Sequence, residues 1–410
     1  MLNTSQAYHV EWFLTHQIQS DVTVRITDGR LAGVESGYAR DAIDLGRVAL
    51  ISGLVNSHTH LEFSDLAVPI PTTGRFTDWI RSVVAHRRAH PSQVGHAITR
   101  GLQESLSSGT TMVGEIATIG WSPQDYAAAP LKSVVFQELL GLTPDRVAQQ
   151  KDLAKSHLAT GREVFVPGLS PHAPYSTHLH LVREAVELAG QTGGPLAMHL
   201  AETQAEVEFL RERTGEFREM LTDFGIWNDD PTRFGHRALD YLQILAKAPH
   251  ALVIHGNYLD DEELAYIASH PNMTLVYCPR THAAFGHGPH PWRAAIDMGI
   301  RVALGTDSRA SNPDLSLFAE LQHLAKSTAG YSHLKLLKLG STNGLHALGI
   351  EDTGVANFTL VRPVQTPILD PDRDLFAPMN SVAGTMADGR WVWGDSQLLA
   401  DARLNIPALK

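Results

Sequence analysis

Between residues 49 and 349 the chain alternates short apolar runs with amphipathic stretches, and the runs fall at 48–55, 111–116, 132–139, 164–169, 195–200, 251–255, 273–278 and 301–306. Segments of helical period lie between them, 181–189 and 262–268 among them, and most end near Gly, Pro or Asn, where helices exit. Repeated strand–helix units imply a parallel sheet covered by helices, and eight such units close into a (β/α)8 barrel. The flanks carry a different pattern. Residues 22–26 alternate apolar and polar positions, Thr27-Asp-Gly-Arg30 turns the chain, and 31–34 resumes the alternation, which predicts a β-hairpin. Near the other end, 357–361 and 382–393 form short β runs around Asp388-Gly389. The expected architecture is α/β: a barrel at 49–349, and a small composite β domain built from 1–48 and 350–410. The stretch 214–237, rich in Gly, Asp and Pro, is expected to be an insertion after the fifth strand.

Composition narrows the function. With 410 residues, 43% of them hydrophobic and 19% charged, the chain can bury a large core. Lys plus Arg number 33 against 44 Asp plus Glu, a net charge of −11, so there is no basic footprint for nucleic acid or an anionic membrane surface. No continuous apolar run reaches the roughly 18 residues that span a bilayer. A single cysteine, Cys278, excludes an intrachain disulfide framework, a Cys-rich zinc module and a CxxC pair, and points to a reducing, cytoplasmic setting. Cys278 itself is expected to pack as a small buried hydrophobe. The chain has 22 histidines, more than packing asks for, which directs attention to metal-ligand spacing.

A barrel of this kind presents its chemistry where the strands end. The first strand ends in Asn56-Ser-His-Thr-His60, the fifth in Met198-His-Leu-Ala-Glu202, the sixth in Ile254-His-Gly-Asn257 and the eighth in Leu304-Gly-Thr-Asp307. His58 and His60, two apart in an extended segment, point to one side and can share a cation. Taken alone, the pair is equally compatible with two ordinary histidines. His199, His255 and Asp307 each end a different expected strand, and barrel geometry converges such ends on one point, which favours a metal site.

Leu54-Val-Asn-Ser-His-Thr-His60, His199-Leu-Ala-Glu202, His255 and Gly305-Thr-Asp307 resemble the signature of the amidohydrolase superfamily, in its cytosine deaminase and chlorohydrolase branch. Within it, His58-Thr-His-Leu-Glu-Phe-Ser64 with Phe76-Thr-Asp-Trp79 is most similar to aminodeoxyfutalosine deaminase-like members, which act in menaquinone biosynthesis. The resemblance implies one divalent metal ion, Zn or Fe, held by His58, His60, His199 and Asp307. It implies Glu202 as the proton carrier, His255 as the group that orients the attacking water, and Asp307 as a second participant in proton transfer. A bridging lysine found at the fourth strand of binuclear relatives is replaced here by Gly168-Leu-Ser-Pro-His172, so one metal is expected.

The same resemblance makes His172 a substrate-contacting residue, although a turn histidine between two prolines fits as well. Glu62, Trp79 and Glu138 are further candidates for substrate binding. Arg87, Arg88, Arg280 and Arg309 are candidate partners for an acidic substrate tail. Loop 282–290, with three histidines, is expected to be a solvated lid rather than a second metal site. The leading expectation is a metal-dependent hydrolytic deaminase of an aminopurine-like ring, acting on C–N bonds other than peptide bonds. A chlorohydrolase or amide hydrolase with the same site stays open, as does a non-catalytic barrel scaffold, although a scaffold has no physical need to keep all six of His58, His60, His199, Glu202, His255 and Asp307. No GxSxG nucleophile elbow occurs. The expected partner is a small molecule, with a homo-oligomer left open.

Overall fold

The computed structural model describes residues 5–90, 93–127, 129–160, 163–363 and 367–401. Its larger sheet is parallel and runs through Leu54–His60, Thr110–Ala117, Lys132–Leu139, Val166–Pro171, Pro195–Leu200, His250–His255, Met273–Tyr277 and Arg301–Leu304. The eighth strand resumes as Asp307–Ser308 and pairs there with Thr59 and His60 of the first, closing a (β/α)8 barrel. Closure demands glycine at 305, because a Cβ there would lie 2.8 Å from both the Cβ and the carbonyl oxygen of His58. Across this seam the Thr306 amide donates to the His58 carbonyl at 3.1 Å, and the Asn56 side-chain amide bonds Thr306 through both its oxygen and its nitrogen. The contacts that close the barrel therefore set Asp307 beside the two histidines of the first strand.

Helices cover the outside of the barrel, which is why its strands are buried along nearly their whole length. Their ends follow local chemistry. Asp261–Ala268, for example, begins with a capping box in which Asp260 accepts the Glu263 amide at 3.0 Å and Glu263 accepts the Asp260 amide at 3.0 Å. The expected insertion carries a helix, Gly215–Asp223, tied across the barrel mouth to Phe76–Ala89 by Arg75 with Glu216 and by Arg81 with Asp223.

Strands from both ends of the chain form the second sheet, in the order Arg390–Gly394, Asn380–Ala387, Phe358–Pro363, Ala49–Ser52, Ser5–Leu14, Ile18–Thr27 and Arg30–Ser36. Two features differ from the sequence pattern. The apolar run 48–55 is not one barrel strand: Ala49–Ser52 pairs with Ser5–Leu14 and Phe358–Pro363, and the barrel strand starts at Leu54. An unbroken apolar run cannot show this division, because the chain is buried on both sides of Gly53. Ser5–Leu14, near the middle of the sheet, is a strand that the sequence reading did not name, although Tyr8, Val10 and Trp12 alternate with His9 and Glu11. The two Asp-Gly turns behave as their residues dictate, with φ of 49° and 77° at Asp28 and Gly29 and of 50° and 74° at Asp388 and Gly389. No helix among the described residues is long and apolar enough to cross a membrane.

Candidate active site

At the C-terminal end of the barrel the nitrogens of His58, His60 and His199 lie within 4.8 Å of one another. His60 Nε2 is 3.3 Å from His199 Nε2, and Asp307 Oδ1 is 3.6 Å from His58 Nε2 and 3.9 Å from His60 Nε2. All four side chains are buried. His199 Nδ1 donates to the His172 carbonyl at 2.8 Å, which leaves its Nε2 lone pair directed at the cluster. Both ring nitrogens of His58 and Nδ1 of His60 are buried without a hydrogen-bond partner. Burial first, then the neighbouring imidazoles, pushes His60 and His199 well below the usual histidine range, so the rings are neutral. Neutral, converging, unpartnered nitrogens beside a carboxylate form the donor set that a divalent ion such as zinc or iron takes.

Glu202 and His255 stand next to this cluster, with Glu202 Oε1 3.5 Å from His255 Nε2. Burial, reinforced by Asp307 and Glu206, raises the Glu202 carboxyl well above its ordinary range. Three non-glycine residues here take left-handed backbone: Ala201 with φ 52°, His255 with φ 67° and Asp307 with φ 57°. Each costs of order 1–3 kcal/mol, and such residues persist only where their surroundings hold them. Glu206 provides part of that hold, its carboxylate accepting the amides of Ala201 at 2.8 Å and Glu202 at 3.1 Å. Ser311 Oγ donates to Asp307 Oδ2 at 3.0 Å.

A cavity of about 360 Å³ opens onto these groups. Trp79 and His172 line it, in keeping with expectation, whereas Glu62 and Glu138 do not. Both carboxylates lie behind Arg87, which does line it: Arg87 Nε is 3.1 Å from each Glu62 oxygen and Arg87 Nη2 is 3.4 Å from Glu138 Oε2. Two buried carboxylates need a cation, and one arginine serves both. The other expected acid-binding arginines are also engaged or elsewhere. Arg280 is paired with Asp314 and Glu320, Arg309 is paired with Glu104, and Arg88 is not on the wall.

The sequence reading missed Arg146, which lines the cavity with its guanidinium donating to Gln149 Oε1 at 3.1 Å. It also missed Glu115, whose buried carboxylate accepts the Leu61 amide at 2.9 Å and so fixes the chain just after His60. An acidic residue inside an apolar run, as at 110–117, is the signal that could have found Glu115; nothing local distinguishes Arg146. In loop 282–290 His282 is buried, with Nε2 2.7 Å from the Gly288 carbonyl, and His287 and His290 are half-buried, whereas Ala283, Ala284, Gly286, Gly288 and Pro289 are exposed. Cys278 is buried, as expected.

A (β/α)8 barrel with a buried histidine cluster at its strand ends is an arrangement that could hold a divalent ion for hydrolytic chemistry. The amidohydrolase family model matches residues 49–392, and the chain belongs to that family. It is 29% identical over 322 residues to an aminodeoxyfutalosine deaminase from a Nitratiruptor species, covering 75% of this chain and 76% of that protein. To a 5-methylthioadenosine/S-adenosylhomocysteine deaminase from Pyrococcus furiosus it is 27% identical over 391 residues, covering 86% of this chain and 85% of that protein. The solved structure of Helicobacter pylori aminofutalosine deaminase with methylthio-coformycin shares the fold, with a TM-score of 0.82, 22% identity and coverage of 95% of this chain and 100% of that one.

Proposed function

We propose that the protein is a metal-dependent hydrolytic deaminase of 6-aminopurine nucleosides, and that its substrate is aminodeoxyfutalosine, in menaquinone biosynthesis. The observation that carries the reading is a cavity whose floor is formed by His60, His199, Asp307, Glu202 and His255, with the fully buried His58 clustered against them, and whose wall is apolar apart from a few polar groups, Arg146 among them. His58, His60, His199 and Asp307 would hold one divalent ion, whose contribution is to acidify water in the site. Glu202 takes one proton from the attacking water and delivers it to the ring nitrogen as the new C–O bond forms at the amino-bearing carbon. His255, 3.5 Å from Glu202, orients the attacking oxygen. Asp307 takes the remaining proton and passes it to the departing amino group, so the C–N bond breaks with release of ammonia and the ring keeps a carbonyl.

The choice among nucleosides follows from the wall. Phe76, Trp79, Ile80, Leu142 and Phe224 offer a surface for a flat aryl group, and Arg146 offers a cation for its carboxylate. The homocysteine tail of S-adenosylhomocysteine also carries an ammonium group, which this arginine repels. The test is kcat/KM for ammonia release from aminodeoxyfutalosine, S-adenosylhomocysteine, 5-methylthioadenosine, adenosine, guanine and cytosine. Aminodeoxyfutalosine is expected to lead. A preference for guanine or cytosine by more than about tenfold, equivalent to about 1.4 kcal/mol, overturns the nucleoside reading. Chloride release from a triazine without ammonia release from any purine overturns the deaminase.

A further inference from the structure

The histidines of loop 282–290 take no part in this chemistry, yet His290 is fastened to the backbone that carries it. The half-buried His290 ring stacks on Tyr277 with centroids 3.8 Å apart. Its Nδ1 accepts the Trp292 amide at 2.9 Å, which places its proton on Nε2, and Nε2 lies 2.8 Å from the His255 carbonyl oxygen. His255 sits one residue beyond the last pair between the sixth and seventh strands, Ile254 with Val276, and both it and Gly256 are left-handed, at φ 67° and 61°. A buried carbonyl in such a place needs a donor from outside the sheet, and His290 supplies it. His282 donates through Nε2 to the Gly288 carbonyl at 2.7 Å and packs its other ring nitrogen beside Asn257. Its Nδ1 is 3.2 Å from Asn257 Oδ1, while Asn257 Nδ2 donates to the Glu202 carbonyl at 2.9 Å.

We infer that His290 is a positioning residue for His255: its Nε2–H holds the His255 carbonyl, and with it the left-handed turn that aims the His255 ring at Glu202. The inference rests on His255 acting in the reaction as derived above. Position matters steeply for such a group, since a misplacement of about 1 Å costs on the order of 100-fold in rate.

The test compares three variants on whichever amine-bearing ring the wild type hydrolyses. His290→Phe keeps the stacking on Tyr277 and removes the donor. It is expected to lower kcat about 10- to 100-fold with KM within about threefold and a full metal equivalent retained. His290→Gln restores an N–H near the Nε2 position and should recover at least about fivefold of that loss, whereas the shorter His290→Asn should not. If His290→Phe yields no soluble protein, the ratio of Gln to Asn decides. An unchanged kcat, a loss confined to KM, or Gln performing no better than Asn overturns the inference. A readout that needs no turnover separates its failure from failure of the deaminase reading. A crystal structure of His290→Asn should show the His255 carbonyl rotated and its ring displaced from Glu202; an undisturbed His255 overturns the inference whatever the substrate is.

Discussion

The floor and the wall of the cavity at the barrel mouth are built on opposite plans. The floor consists of side chains from strand ends, locked by the seam at Gly305 and Thr306, by Glu206 and Ser311, and held in place at the cost of left-handed backbone at Ala201, His255 and Asp307. Most of the wall comes from helices and connections laid over the mouth, Phe76–Ala89 and Gly215–Asp223 prominent among them, and is largely apolar. In the proposed function, rigid polar groups on strands set the reaction, and a surface assembled from helices and loops sets what the reaction is applied to. Changes to the floor should therefore act on turnover for every substrate, and changes to the wall on the ranking of substrates.

Removal of a floor ligand should have the largest effect. His199→Ala is expected to abolish bound metal and activity together, measured by elemental analysis and ammonia release. A full metal equivalent with activity preserved would break the assignment of the floor. Glu202→Gln should come next, keeping the metal but losing turnover by at least roughly 10²–10⁴-fold, the range general acid–base catalysis contributes, because the amide cannot accept the water's proton. A rate within a few-fold of wild type would remove Glu202 from the mechanism.

On the wall, Arg146→Met should lower kcat/KM for an acid-tailed nucleoside by about tenfold, the low end for a hydrogen bond to a charged group, since this arginine is exposed. Turnover of neutral 5-methylthioadenosine should change by less than about threefold. Equal losses on both substrates would erase the division of labour between floor and wall.

The effect furthest from catalysis lies outside both regions and concerns stability alone. His157 is buried, with Nε2 donating to the Val135 carbonyl at 2.8 Å, and burial lowers its pKa to about 4. Above pH about 6.5 both folded and unfolded forms carry it neutral; as pH falls from there toward 4 the unfolded chain takes up a proton that the folded one refuses. Stability should decline across that window by up to about 3 kcal/mol from this residue, and His157→Phe should flatten the decline in denaturant midpoints by one proton's worth. An unchanged slope would show that His157 titrates normally in the fold.

Much of the floor was legible in the amino-acid sequence. An extended strand puts His58 and His60 on one side, and a barrel of parallel strands must bring His199, His255 and Asp307 to the same end, so a repeat pattern and four short motifs are enough to gather these residues at one site; which of them would hold a metal was implied only by the resemblance to the amidohydrolases. The Asp-Gly turns were legible for the same reason, since their backbone preference belongs to the residues themselves. Tertiary structure alone decided the rest. It assigned residues 49–52 to the second sheet, turned Glu62 and Glu138 onto Arg87, and placed Arg146 on the wall. It also tied the histidines of loop 282–290 to the backbone of His255 and to Asn257. Each of these outcomes depends on which distant segment comes to lie alongside, and on which buried charge or carbonyl must then find a partner, a competition among long-range contacts that no local pattern records.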